Sequence, residues 1–266
     1  MWLSNLSMRS KLILILIFPM IGLIYFSVHG ISEKAKLVDE LNSIQSLVEL
    51  STKISALVHE TQKERGNTAG YLGSNGEKFV SELAAQRNST DKRVTELEEF
   101  LDGFDMTRFD ASLRNELATA QSKLKGVKLK RSVVQSLSIS TKEAIGAYTD
   151  MNTSFLNTVA LISMMSTQAE MTGLISAYVN FLKSKERAGI ERAVLANTFA
   201  ADDFGAGMFV KFASLVAQQQ GYTDVFMSFA TSSQKSYYNS KMQDPKVAEV
   251  ERLRQVAINN ADFGSF

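Results

Sequence analysis

Proline occurs at only two positions, Pro19 and Pro245, and the stretch from Met20 to Asp244 has none. Average usage would place roughly eleven prolines there. A prolyl ring removes an N–H donor and collides with the preceding turn, so a gap of this length favours long uninterrupted helices. The chain also lacks cysteine, which excludes disulfide scaffolds and thiolate metal sites and leaves the core to the 45% of residues that are hydrophobic. Lys and Arg number 29 against 28 Asp and Glu, a net charge of +1. That balance offers no whole-protein field for nucleic acid, which is therefore not expected as a partner, and any anion site has to be local.

From Leu12 to Ser32 there is no Asp, Glu, Lys or Arg. As a helix this segment would span roughly 31 Å, enough for a bilayer. Arg9 and Lys11 precede it without an acidic residue. The positive-inside rule then keeps residues 1–11 in the cytoplasm, makes 12–32 a transmembrane helix and places 33–266 outside, as the periplasmic domain of an inner-membrane protein. Ser27-Val28-His29 is a poor signal-cleavage site. A retained single-pass anchor is expected, with the membrane as a partner.

Beyond the anchor, Leu37, Leu41, Ile44, Val48, Ile54 and Val58 recur at helical spacing until Gly73-Ser-Asn-Gly76. A second helix carries Val80, Leu83, Val94, Leu97 and Leu101 before Asp102-Gly103, and a third carries Leu113, Leu117, Leu124, Val127 and Val134. Ser140 with Glu143 forms a capping-box pattern opening a fourth. Its stripe continues to about Phe199, too far for one ordinary helix, so a break is expected near Ser163 to Thr167. Asp202-Asp203 is expected to cap a helix bearing Met208, Phe212 and Leu215 and ending at Gly221, with short helices from about Thr223 to Ser240. Asp244-Pro245 then opens a last helix with Val247, Val250 and Ala257. No strand alternation of useful length appears. The fold class is all-α: a transmembrane helix followed by an extracytoplasmic up-and-down helical bundle.

Only His29 and His59 are present, and no E-x-x-H or H-E-x-x-H pattern occurs. No G-x-S-x-G, P-loop or dinucleotide fingerprint is found either, so neither an enzyme nor a cofactor is expected. The informative residues are arginines. Arg65 falls seven residues from both Val58 and Leu72, on the apolar face, and Thr61, Gln62, Thr68 and Ala69 at three and four positions offer it no carboxylate. Arg192 lies on the line of Tyr178, Leu182, Gly189, Ala196 and Phe199, again without a local acid. Arg187, Arg252 and Arg254 each have a glutamate three or four residues away and can satisfy themselves. Two readings stay open. Each core-facing arginine pairs with a glutamate on another helix, or a small planar oxyanion neutralises two of them. Gly66, Ala69, Gly70, Ala188 and Gly189 leave room for a small ligand. On the second reading Arg65→Ala should leave a folded domain that no longer responds to the anion.

The segments Gln62-Lys-Glu-Arg-Gly-Asn-Thr-Ala-Gly-Tyr-Leu-Gly-Ser-Asn-Gly76 and Phe181-Leu-Lys-Ser-Lys-Glu-Arg-Ala-Gly-Ile-Glu-Arg-Ala193 resemble the two signature helices of the NIT family, the nitrate- and nitrite-sensing domain. The resemblance extends over about Leu37 to Phe266 and implies paired four-helix bundles. It also implies a small-anion ligand, nitrate or nitrite, held by arginines of the signature helices: Arg65, Arg192 and Arg187, with Arg192 favoured over Arg187 by the count of local partners. A membrane helix followed by such a domain resembles the sensor half of a methyl-accepting chemotaxis protein. That likeness implies a closing helix that 33–266 is expected to lack and a signalling module outside this chain. A homodimer is expected because symmetric pairs are the commonest oligomers.

Overall fold

The computed structural model describes residues 7–165 and 169–261, and among these it contains eight α-helices and no strand. They are α1 (Met8–Gly73), α2 (Val80–Asp102), α3 (Ala111–Gln135), α4 (Thr141–Ser163), α5 (Ala169–Ala201), α6 (Met208–Phe229), α7 (Ser232–Met242) and α8 (Pro245–Asn259). A short 3-10 turn, Met106–Arg108, precedes α3. The chain divides into two units, Met1–Leu47 and Val48–Phe266. The first carries a window of mean hydropathy 2.3, none of it buried.

Within the second unit, α1 ends where Asn75 and Gly76 take left-handed φ of 53° and 83°. The Gly76 N–H then donates back to the Tyr71 carbonyl at 2.8 Å, closing the last turn. Leu50, Ile54 and Leu57 on the preceding turns are fully buried, each contributing about 1.5–3 kcal/mol on leaving water. Tyr71, Leu83, Val134 and Ala144 form one cluster that ties together α1, α2, α3 and α4. A second, of Ile190, Val194, Leu195, Phe212, Leu215 and Ala257, joins α5, α6 and α8. A third, around Ala177, Phe226 and Ala230, brings Tyr238 of α7 against α5 and α6. Sequential neighbours pack on one another from α3 through α6.

Helix starts follow local chemistry. Asp110, Ser140, Thr231 and Asp244 each accept a hydrogen bond from a backbone N–H of the first turn, and Pro245 occupies the first helical position. Ser140 does receive the Glu143 N–H, but the Glu143 carboxylate turns to Lys130 at 2.8 Å instead of back to the cap. The expected break falls where α4 ends at Ser163, while Ser166 and Thr167 lie outside the described residues. Three expectations are corrected. Asp202-Asp203 does not cap α6: Asp202 takes a left-handed φ of 54° just beyond α5, and Gly207, at 74°, precedes α6. Gly221 does not end α6, which runs on to Phe229 because packing of Phe226 outweighs the cost of roughly 1 kcal/mol for an interior glycine. Val250 of α8 is exposed.

Phe79 enters α2 with a left-handed φ of 63° and no side-chain cap, a conformation that a bulky side chain rarely adopts. Its ring lies flat against Gly70 of α1, where a Cβ would stand 2.4 Å from the ring. Gly70→Ala is therefore expected to lower Tm, because overpacking of about 1–3 kcal/mol exceeds the roughly 1 kcal/mol gained in helix propensity. Gly126→Ala in α3, with nothing within 4 Å of the new methyl, is expected to raise it. Thermal melts of the two variants side by side check the assignment.

Candidate functional site

The first signature segment forms the last turns of α1 and the second forms the middle of α5. Arg65 is 2% exposed, as its place on the apolar face required. Its partner comes from α5: Nη1 donates to Glu186 Oε1 at 2.5 Å and to Thr149 Oγ1 of α4 at 3.0 Å, and Nη2 donates to Glu186 Oε2 at 3.4 Å. Glu186 is 1% exposed and also accepts from Gln62 Nε2 at 2.6 Å. Among the described residues, the Nε–H of Arg65 and one N–H of Nη2 have no partner. Nη2 faces α5, where a Cβ on Gly189 would stand 3.0 Å away. Only a residue without a side chain lets the guanidinium approach the helix this closely.

Arg192 crosses in the opposite sense. Its Nη2 lies 3.7 Å from the place a Cβ on Gly66 would occupy, beside Arg65. Each guanidinium thus reaches across the α1/α5 crossing to a glycine of the other helix. Arg192 is not buried, contrary to expectation; it is exposed, and it has no hydrogen-bond or ion-pair partner among the described residues. A seven-residue line drifts by about 20° per heptad on a straight helix, so by Arg192 it has rolled off the buried face. That face carries Leu182, Glu186, Ile190 and Val194 at a spacing of four.

Arg187 is not brought to this crossing. It is half-buried toward α6, donating from Nε to Gln218 Oε1 at 2.6 Å with its guanidinium over the Tyr222 ring. Nor does it use Glu191, as sequence spacing suggested. Glu191 is 3% exposed and is taken by Arg254 of α8, Nε to Oε1 at 2.5 Å and Nη2 to Oε2 at 2.7 Å, with Gln219 Nε2 as a further donor. Arg252 does pair with Glu249 on its own helix.

Sequence reasoning missed a third buried pair. Glu64, fully buried, accepts two hydrogen bonds from Arg131 of α3, at 2.8 and 2.9 Å, and one from the Tyr148 hydroxyl at 2.7 Å. Burial opposes the Arg131 charge, but the hydrogen bonds it donates to Glu64, the Glu64 charge and then Asp91 raise its pKa overall. Burial and the Glu64 charge push the Tyr148 hydroxyl upward, so it stays a donor. The available signal was the repeated Lys-Glu-Arg at 63–65 and 185–187, in which each glutamate is an inward group. Near the crossing, Lys185 Nζ lies 2.9 Å from His59 Nδ1. Burial, then the Lys185 charge, lowers the His59 pKa below its ordinary value of 6.5.

Two outcomes follow from this geometry. Arg65→Ala would strand the Glu186 carboxylate with Gln62 alone, so the variant is expected to lose about 3–5 kcal/mol of stability, in place of the intact fold expected from sequence. Chemical denaturation checks it. Because His59 is harder to protonate in the folded state, the unfolded chain binds more protons as pH falls through 6.5, and stability drops with it. Melts at pH 7.5 and 5.5 should show a smaller fall in His59→Gln than in the parent.

The chain spans only part of the proteins it resembles. It is 29% identical over 220 residues to the nitrate regulatory protein of Klebsiella oxytoca, covering 82% of this chain and 54% of that protein. Its fold superposes on the structure of the NasR transcription antiterminator with a TM-score of 0.78 at 28% identity, covering 85% of this chain and 62% of the other. These relatives overturn two expectations. An inner-membrane protein with a periplasmic sensor and the membrane as partner does not stand, since the relatives are regulators by name. One apolar helix is weak ground for a membrane address, because core helices and signal sequences pass the same test. The exclusion of nucleic acid fails as well, because it rested on net charge while a transcription antiterminator acts on transcription. Neither relative is named as a chemotaxis receptor. The model of the nitrate and nitrite sensing family, NIT, matches residues 56–265, most of the chain and both signature segments, and the chain belongs to that family.

Proposed function

We propose that the domain senses nitrate or nitrite by holding the ion at the α1/α5 crossing, between Arg65 and Arg192. The observation that carries this reading is the pairing pattern. Every buried arginine–glutamate pair described above is closed within the protein, whereas Arg192 reaches across to Gly66, the residue after Arg65, with its donors uncommitted among the described residues. A planar oxyanion matches a guanidinium fork through two parallel hydrogen bonds. The uncommitted Nε–H and Nη2 donor of Arg65 supply the opposing side, so the ion enters without breaking the Arg65–Glu186 pair. The bound ion would draw Arg192 onto α1 and favour the arrangement in which the two helices are tied together, which is how a ligand shifts a conformational equilibrium.

The competing reading, in which both arginines serve only structure, is met for Arg65 by Glu186 and not for Arg192. Arg187, engaged by Gln218 and Tyr222, is assigned to positioning α6 against α5 and not to the ligand.

Thermal unfolding of the full chain in nitrate, nitrite, chloride and sulfate at matched ionic strength tests the proposal. At a hundredfold excess over Kd, nitrate or nitrite should stabilise the native state by about 2.7 kcal/mol. Arg192→Ala, an exposed substitution, should change the anion-free Tm little and should abolish the nitrate-dependent rise. An undiminished rise in that variant would remove Arg192 from the site.

A further inference from the structure

We infer that Glu186 is the charge selector of this site, a positioning residue that restricts it to singly charged anions; the inference rests on the reading of Arg65 and Arg192 as the ligand-holding pair. Both guanidinium groups are permanently charged. Alone they would present two positive charges to an incoming ion and would favour a dianion. Glu186 changes that balance from inside the protein. It is 1% exposed, lies in contact with Arg65 through both carboxylate oxygens, and has Gln62 as a further donor. Water has no access through which to screen it. The crossing therefore carries a single net positive charge, which one nitrate or nitrite cancels.

Glu191 and Glu64 do not alter this count, because Arg254 and Arg131 hold them. Lys185 turns its Nζ to the His59 ring, where Glu60 supplies a counter-charge. A dianion at the same place would leave one negative charge uncompensated beside a buried carboxylate. Interactions between charges there are weakened far less than in bulk water. Geometry adds a second consequence. Glu186 takes Nη1 of Arg65 and, more distantly, Nη2, which faces Gly189, and it leaves Nε without a partner among the described residues, so it also selects which edge of the guanidinium the ligand meets.

The test separates charge from shape by using two tetrahedral ions, perchlorate and sulfate, as competitors of nitrate. Nitrate affinity is measured by titration calorimetry on the full chain, alone and in the presence of each competitor at matched ionic strength. In the parent, perchlorate should displace nitrate at least about tenfold more effectively than sulfate. Glu186→Gln keeps the shape and removes the charge, and it should shift that ratio toward sulfate by about tenfold or more; Glu186→Asp, which keeps the charge, should preserve the parent preference. Sulfate competing as well as perchlorate in the parent would overturn the inference even if the glutamine variant failed to fold. An unchanged ratio in a folded Glu186→Gln that still binds nitrate would overturn it too, while leaving the arginine pair as the site. Absence of nitrate binding in the parent would instead sink the arginine-pair reading, and the charge selector with it.

Discussion

Burying Arg65 is the constraint around which the second unit is arranged. A guanidinium cannot shed its charge in a protein, so a position that is 2% exposed has to be matched by a carboxylate at hydrogen-bonding distance. Glu186 meets that demand from a helix more than a hundred residues away in sequence. Its own burial then calls on Gln62 and, through Arg65, on Thr149 of α4. The consequence is a fixed register: α1, α4 and α5 satisfy these bonds together only in one alignment. Such pairs contribute little net stability beside an apolar alternative, yet breaking one is costly, so they restrain the arrangement more than they strengthen it.

The same device recurs on both sides. Glu64, next to Arg65, binds Arg131 of α3, and Glu191, next to Arg192, binds Arg254 of α8. Adjacent residues on a helix point about 100° apart. In each signature segment one side chain therefore turns toward a neighbouring helix of its own group, and the next turns toward the α1/α5 crossing. Gly189 completes the arrangement by making room for the Arg65 guanidinium against α5, while Arg192 lies at ordinary contact distance from Gly66. α5 is thereby tied to α1 through Glu186 and to α8 through Glu191.

Much of the helical layout was legible from local chemistry. The proline-free stretch, the four-residue recurrence of apolar side chains and the caps at Ser140 and Asp244 each reflect interactions within a few residues; α1 and α2 end, and α4 begins and ends, where those signals lie. The region from Asp202 to Ser240 was not legible in the same way. There a left-handed turn at Asp202, a glycine start at Gly207 and the packing of Phe226 decide the boundaries, and none of these has a distinctive pattern of residue types.

For the site, sequence alone determined that Arg65 faces inward with no acid three or four residues away on its own helix, because helical geometry fixes which neighbours a side chain can reach. It also marked the two segments that approach each other at the α1/α5 crossing. It could not determine that Glu186 closes on Arg65, that Arg187 and Glu191 ignore each other, or that Arg192 stays exposed and unpaired among the described residues. Those facts depend on how far each helix is rotated about its axis when it packs. A rotation of a few tens of degrees, accumulated over several turns, moves a side chain from the core to the solvent, and only the tertiary contacts of α5 with α1, α4, α6 and α8 set its value.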